Sequence, residues 1–348
     1  MDFYLAPMEG NTGYIFRNTY HRYYEPMDRY FTPFICHRGL SRRERMDVLP
    51  EHNEGLNVIP QILTSSTGEF LDIAGSLAGL GYREVNLNLG CPSGTVVKKG
   101  RGAGMLADPA GLRAFLNEIF EKSPVKISIK TRLGMENDSV WPELLEIFSE
   151  FPLTELIVHP RIQQDFYKKP VRPGAYAAAD EHEGVLEAGA GSRRLCYNGD
   201  IFTPEGFLRF YSAFPKTGAV MLGRGILKNP ELTSEIKKIC RERAGDSSAA
   251  GVDSVSGAES KREIPRFIAV EGEYLPVADR ERFRKFHAAL VEGYREAMDG
   301  DKNVLFKMKE FWYYAGQSFP DAKKELKQIK KAQNLQEYKG AVASILRR

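Results

Sequence analysis

The chain has 348 residues, 42% hydrophobic and 27% charged, which is enough for one large core and a smaller appendage. Its formal net charge of +3 gives no support to a globally basic nucleic-acid binder, although a local basic face stays open. Cys36, Cys91, Cys196 and Cys240 are far apart and form no CxxC pair, which argues against a zinc site or a disulfide framework, and no metal is expected. Met1–Pro7 lacks a basic stretch followed by a long apolar run, so no signal peptide is expected. No apolar run approaches the roughly 18 residues of a membrane helix, so a soluble, cytoplasmic protein without membrane partners is expected.

In chain order, short apolar runs recur at Phe3–Met8, Tyr30–Phe34, Asn57–Ile62, Glu84–Leu89, Val125–Lys130, Leu156–Val158, Arg194–Tyr197 and Ala219–Leu222. Each ends in a polar or Gly/Pro break. Amphipathic stretches such as Gly68–Leu80, Pro109–Lys122, Trp141–Phe151 and Thr203–Phe214 lie between them. Eightfold strand–helix alternation predicts an α/β fold, a (β/α)8 TIM barrel, with a doubly wound sheet as the alternative. In the fourth run, Val85, Leu87 and Leu89 alternate with Asn86 and Asn88, the period of a strand. It stops at Gly90-Cys91-Pro92, because proline has no N–H to extend a ladder. Cys91 thus stands at a strand end, where an enzyme places a reactive group.

Composition then shifts. Residues 1–243 read as the catalytic barrel, and 244–265 as a flexible linker or insertion that is small, polar and aperiodic over Ala244–Ser260. Residues 266–348 read as an all-helical domain, with Phe283, Phe286, Leu290 and Tyr294 at helical spacing. A second Ala/Gly/Glu-rich stretch, Gly174–Gly191, holds either a helix at Ala177–Glu187 or an elaborated loop. From Arg280 onward 16 Lys or Arg face 9 Asp or Glu, an excess of 7 cations that leaves the rest of the chain at −4. That asymmetry fits either a solvated bundle surface or a nucleic-acid contact.

In a (β/α)8 barrel the chemistry gathers at the C-terminal strand ends. Here those ends carry Pro7 and Met8, Gln61, Asn88 with Cys91, Lys130, His159 with Arg161, Asn198-Gly199-Asp200, and Gly223-Arg224. Taken singly, Lys130 is compatible with a snorkelling strand terminus and His159 with a core histidine. Six polar ends in succession fit a site better than an apolar barrel interior. Gly223-Arg224-Gly225 leads into a helix, which suits a phosphate. The matching cofactor has one phosphate and a ring across the mouth, with Gln61 and Lys130 at the ring's polar edge and Lys130 opposite the negative charge of a reduced flavin. Lys98, Lys99 and Arg101 lie on a Gly-rich loop that suits a phosphodiester backbone, and Gly-Lys-Ser/Thr is absent, so it is not a Walker loop.

Ala6-Pro7-Met8-Glu9-Gly10, Asn88-Leu-Gly-Cys91-Pro92 with Gly102-Ala-Gly-Met-Leu106, Lys130-Thr-Arg-Leu-Gly134, Val158-His159-Pro-Arg161, Tyr197-Asn198-Gly-Asp200-Ile and Gly223-Arg224-Gly together resemble the tRNA-dihydrouridine synthases, in order from residue 3 to about 230. The resemblance implies an FMN-dependent barrel with a helical domain that helps bind tRNA, and NADPH-driven reduction of the C5=C6 bond of uridine. It also implies roles: Pro7 and Met8 packed on the flavin, Gln61 and Lys130 on its ring, and His159 beside flavin and substrate. Asn198, Gly199, Asp200, Gly223 and Arg224 would hold the ribityl phosphate, and Cys91 would be the proton donor. Asn88, Lys98, Lys99, Arg101 and Arg161 would face the tRNA. Arg101 in the loop, Ser93-Gly94 after Cys-Pro and the two insertions depart from the family pattern and bear on which uridine is modified. The competing readings are an FMN barrel that reduces a small molecule, in the manner of a dihydroorotate dehydrogenase or ene-reductase, and a non-catalytic RNA-binding protein.

Overall fold

The computed structural model describes residues 1–184, 194–249, 268 and 276–347. Nine short parallel segments, β1 (Asp2–Leu5), β2 (Arg29–Phe31), β3 (Val58–Ile59), β4 (Gln61–Ile62), β5 (Glu84–Leu89), β6 (Lys126–Thr131), β7 (Glu155–Val158), β8 (Arg194–Tyr197) and β9 (Ala219–Leu222), pair in the order β3-β2-β1-β9-β8-β7-β6-β5-β4. The two outermost segments are halves of one stretch broken at Pro60, which has no N–H for a ladder. β3 pairs with β2, β4 pairs with β5, and the Asn86 N–H reaches the Pro60 carbonyl at 2.8 Å. The sheet therefore returns on itself as an eight-stranded parallel barrel, the expected (β/α)8 class rather than a doubly wound sheet. Each of the eight apolar runs overlaps its strand, with Asp2, Arg29, Thr131 and Glu155 falling one residue outside their runs and β1 stopping at Leu5, short of Met8.

The chain forms two compact units, and the first comprises Met1–Asn18, Met27–Gly199 and Phe214–Leu222. Its barrel interior is layered. At the N-terminal end, the Tyr4 hydroxyl donates to Glu155 at 2.8 Å, and Arg29 pairs with Glu84 at 3.1 Å and Glu155 at 3.7 Å. Above lie Tyr4, Ala6, Phe31, Ile59, Ile157, Cys196, Ala219 and Met221, a buried apolar plug against which Met8 packs. Each large apolar side chain taken fully out of water contributes about 1.5–3 kcal/mol. The plug fills the lower barrel and leaves the chemistry to its C-terminal end. Helices Thr67–Gly79, Pro109–Lys122, Trp141–Ser149 and Pro173–Asp180 coat the outside, each turning an apolar face inward. The last of these occupies the start of the Gly174–Gly191 stretch, whose residues 185–191 lie outside the described residues.

The second unit comprises Thr19–Pro26, Asp200–Ala213 and Gly223–Arg348. This division differs from the one expected at 243/244. Helix Leu232–Ala249 runs on through the first residues of the expected linker, and residues 250–267 lie outside the described residues. Helices Arg280–Ala297, Asp301–Ala315, Lys323–Lys331 and Leu335–Leu346 follow. Phe283, Phe286, Phe311, Trp312 and Phe319 pack ring against ring, with centroids 5.1 to 6.2 Å apart. Within this core the Trp312 indole N–H donates to the Tyr338 hydroxyl at 2.8 Å, and that hydroxyl lies 2.5 Å from His287 Nε2. His287 accepts there as a neutral imidazole, because burial pushes its pKa down to about 3.

That depressed pKa fixes a pH dependence. The unfolded chain takes up the His287 proton below about 6.5, and the folded chain only near 3, so stability falls as pH drops through that window. Between pH 8 and pH 5 this single group removes about 2 kcal/mol of stability from the helical unit. Urea unfolding across that range, followed by Trp312 fluorescence, should show the loss, and His287→Gln should flatten it.

Candidate active site

Strand β5 delivers Cys91 to the C-terminal end of the barrel, and every polar backbone group around it is tied down. The Asn88 carboxamide oxygen accepts the N–H groups of Gly90 at 3.0 Å and Cys91 at 2.9 Å. Arg132 Nε donates to the Gly90 carbonyl at 2.9 Å, Gln163 Nε2 to the Pro92 carbonyl at 2.8 Å, and the Ala103 N–H to the Cys91 carbonyl at 3.2 Å. Four separate chain segments thus fix a three-residue turn. Gly102 sits at φ +58, and a Cβ there would lie 3.0 Å from both Cys91 Cβ and the Cys91 carbonyl, so glycine is required for the loop to close over the turn. The thiol is half-buried. Burial raises its pKa above the ordinary value, and the Ser93 N–H, Arg132 and Lys130 only partly oppose that rise. A thiol whose pKa is raised keeps its proton at neutral pH.

The neighbouring strand ends form a polar layer. Gln61 Nε2 donates to Asn86 Oδ1 at 2.8 Å, Asn86 Nδ2 donates to the Ser128 hydroxyl at 3.0 Å, and Asn88 Nδ2 donates to Gln61 Oε1 at 2.7 Å. Asn88 and Lys130 are register partners on β5 and β6. Lys130 is enclosed by protein although part of it opens to solvent, and burial with the nearby Arg132 pushes its pKa down to about 7. No carboxylate pairs with it among the described residues; its favourable neighbours are the thiols Cys91 and Cys196. His159 is buried, and Arg161 Nη1 lies 3.0 Å from its Nε2, so the imidazole accepts on that side. Asn198 Nδ2 donates to the Met221 carbonyl at 2.8 Å, bridging two strand ends. Gly199 has no room for a side chain, since an added Cβ would overlap the Tyr197 ring. Pro7 and Met8 begin the turn after β1, where the Met8 N–H donates to the Thr12 hydroxyl at 2.8 Å.

Other expected contacts are placed differently. Arg161 is 1% exposed and donates to the Lys169 carbonyl at 2.6 Å as well as approaching His159, so it braces the site from inside and offers no surface to RNA. Asn88, expected to face the tRNA, uses its carboxamide on the Cys91 turn and on Gln61. Arg101 is ion-paired with Glu69 at 2.8 Å, which anchors the Gly-rich loop, while Lys98 and Lys99 are exposed. In the second unit Arg224 pairs with Asp200, and Lys228 Nζ stands 3.9 Å over the Phe202 ring. Gly225 is pressed against the Ile201 carbonyl, which explains the second glycine of Gly223-Arg224-Gly225.

Two functional positions were not singled out in the sequence. Arg132 is 1% exposed and clamps the Gly90, Ile162 and Phe166 carbonyls at 2.8 to 3.0 Å. Gln163 reaches Pro92 across 71 positions. The signal for Arg132 was its place two residues after Lys130; Gln163 carried none. Replacing Asn88 by Ala strips the Gly90 and Cys91 N–H groups and Gln61 of a partner, and should cost about 1–3 kcal/mol in denaturant unfolding. Cys91 alkylation by iodoacetamide in the wild-type protein should be slower at pH 7 than for a free cysteine, and should accelerate steeply as pH rises through the raised pKa.

The family model "Dihydrouridine synthase (Dus)" matches residues 4–262. The "Probable tRNA-dihydrouridine synthase" of Staphylococcus epidermidis is 29% identical over 242 residues, covering 66% of this chain and 69% of that protein. The "Probable tRNA-dihydrouridine synthase 2" of Bacillus subtilis is 28% identical over 235 residues, covering 66% of this chain and 70% of that protein. Among solved structures, a morphinone reductase aligns over 76% of this chain and 92% of its own at TM-score 0.47 and 12% identity. With the family match extending over well more than half its length, the chain belongs to the dihydrouridine synthase family.

Proposed function

We propose that this protein is a tRNA-dihydrouridine synthase that reduces the C5=C6 bond of uridine in tRNA, with FMN as cofactor, NADPH as reductant and Cys91 as general acid. One observation carries this reading: a half-buried thiol on a turn held by four chain segments, at the barrel end where the register partner of Asn88 is Lys130. The residues fit a flavin. Lys130 is desolvated and has no carboxylate partner among the described residues, a cation suited to a ring edge that gains negative charge. Pro7 and Met8 offer an apolar surface, Gln61 keeps part of its amide for the ring edge, and His159 and Asn198 flank the mouth. Gly199, Asp200, Gly223 and Arg224 are assigned to the cofactor's phosphate. When bound, the flavin supplies the hydride for the uridine ring.

The chain's own residues supply the proton. Reduction at C6 leaves carbanion character at C5, and a thiol is acidic enough to quench it, where a serine hydroxyl is far too weak. The clamp on Gly90–Pro92 fixes the backbone that carries Cys91, which limits the reorganisation needed at the moment of transfer. The base must leave its stack to enter the mouth. Lys98 and Lys99, exposed on the loop anchored by Arg101–Glu69, are assigned to the tRNA backbone, and so is the basic helical region.

Mapping dihydrouridine in tRNA from cells with and without this gene tests the activity: specific positions should revert to uridine on deletion, and an unchanged map contradicts the proposal. The double variant Lys98→Ala with Lys99→Ala should weaken tRNA binding and reduce the log–log salt slope by about two, as gel shift at several salt concentrations would show. Lys130→Ala should copurify with less flavin, read from its visible absorbance.

A further inference from the structure

Beyond the barrel mouth, the loop after β2 gathers three donors of different chemistry. Cys36 Sγ, His37 Nδ1 and a Glu44 carboxylate oxygen all lie within 4.8 Å of one another. The Sγ–Nδ1 separation is 3.5 Å, and Nδ1 stands 2.9 and 3.0 Å from the two Glu44 oxygens. We propose that Cys36, His37 and Glu44 form a binding site for a divalent transition-metal ion of the zinc type. Tetrahedral zinc, with bonds near 2.3 Å to sulfur and 2.0–2.1 Å to nitrogen and oxygen, sets sulfur and nitrogen roughly 3.5 Å apart and nitrogen and oxygen roughly 3.3 Å apart. The first separation already stands, and the second needs an opening of a few tenths of an ångström.

The carboxylate is prepared for the role. Glu44 is buried, and the N–H groups of Cys36 and Ser41 each donate to it at 2.7 Å, as part of the cap on the helix Arg42–Val48. Those bonds fix the orientation of the carboxylate. The His37 side chain is 63% exposed, which leaves an entry path and a fourth position for water or a further ligand. The nearby cations Arg101 and Arg43 are already paired with Glu69 and Glu9. Thiolate, imidazole and carboxylate together select zinc over magnesium or calcium. Binding releases the Cys36 thiol proton and uses the Nδ1 lone pair of the His37 ring. The sequence hid this site because Cys36 and His37 are adjacent, the carboxylate lies seven positions past the histidine, and no CxxC pair marks it.

The test uses the full-length protein, stripped with chelator and then dialysed to equilibrium against zinc sulfate, with bound metal counted by mass spectrometry. One zinc per chain is expected in the wild type and in Cys91→Ala. Cys36→Ala and His37→Ala should each weaken binding at least about a hundredfold. Circular dichroism and the unfolding midpoint confirm that these variants fold, and His37, being exposed, is the safer of the two. In the wild type, zinc should also protect Cys36 from alkylation. No retained zinc, or equal retention in Cys36→Ala, overturns the proposal.

Discussion

The carboxamide of Asn88 is the interaction on which the site depends. Its oxygen takes the two N–H groups of Gly90 and Cys91, and its nitrogen ties the same side chain to Gln61 on the neighbouring strand. A strand that would otherwise end raggedly at a proline is turned into a rigid shelf. Arg132 and Gln163 then fix the remaining carbonyls of the shelf, and Gly102 lets the following loop close against it without a side chain in the way. Burial does the rest, because a desolvated thiol on a fixed backbone stays protonated at neutral pH.

The barrel below supports this arrangement in layers. The Arg29, Glu84, Glu155 and Tyr4 cluster closes the N-terminal end, and the apolar plug fills the middle. Toward the C-terminal ends a second polar layer follows, in which Gln61, Asn86, Asn88 and Ser128 hydrogen-bond to one another. Lys130 is the exception to ordinary burial rules, a lysine inside a barrel without a carboxylate partner among the described residues. Such a group is costly unless a ligand with complementary charge repays it, which is the physical reason to assign a flavin to this mouth.

Much of the architecture was legible in the sequence, for physical reasons. Parallel strands buried on both faces read as short apolar runs, and Gly90-Cys91-Pro92 marked its own strand end. Helices Pro109–Lys122 and Trp141–Ser149 announced themselves by spacing. What stayed hidden was tertiary. Arg161, expected to face the tRNA, is buried against the Lys169 carbonyl, a partner that no local pattern reveals. That Asn88 holds the turn was likewise hidden, because its partners are backbone N–H groups. Cys36 showed no metal-site spacing, because its carboxylate partner comes from the capped helix seven residues beyond His37.

The central claim, that the clamped Cys91 thiol is the proton donor, is tested most directly with the purified Cys91→Ala protein, supplied with NADPH and tRNA lacking dihydrouridine. Flavin content and NADPH-driven bleaching of the flavin should match the wild type, while dihydrouridine formation should fall by about 10²–10⁴-fold, the scale of a general acid's contribution. Dihydrouridine formed at the wild-type rate would contradict the account.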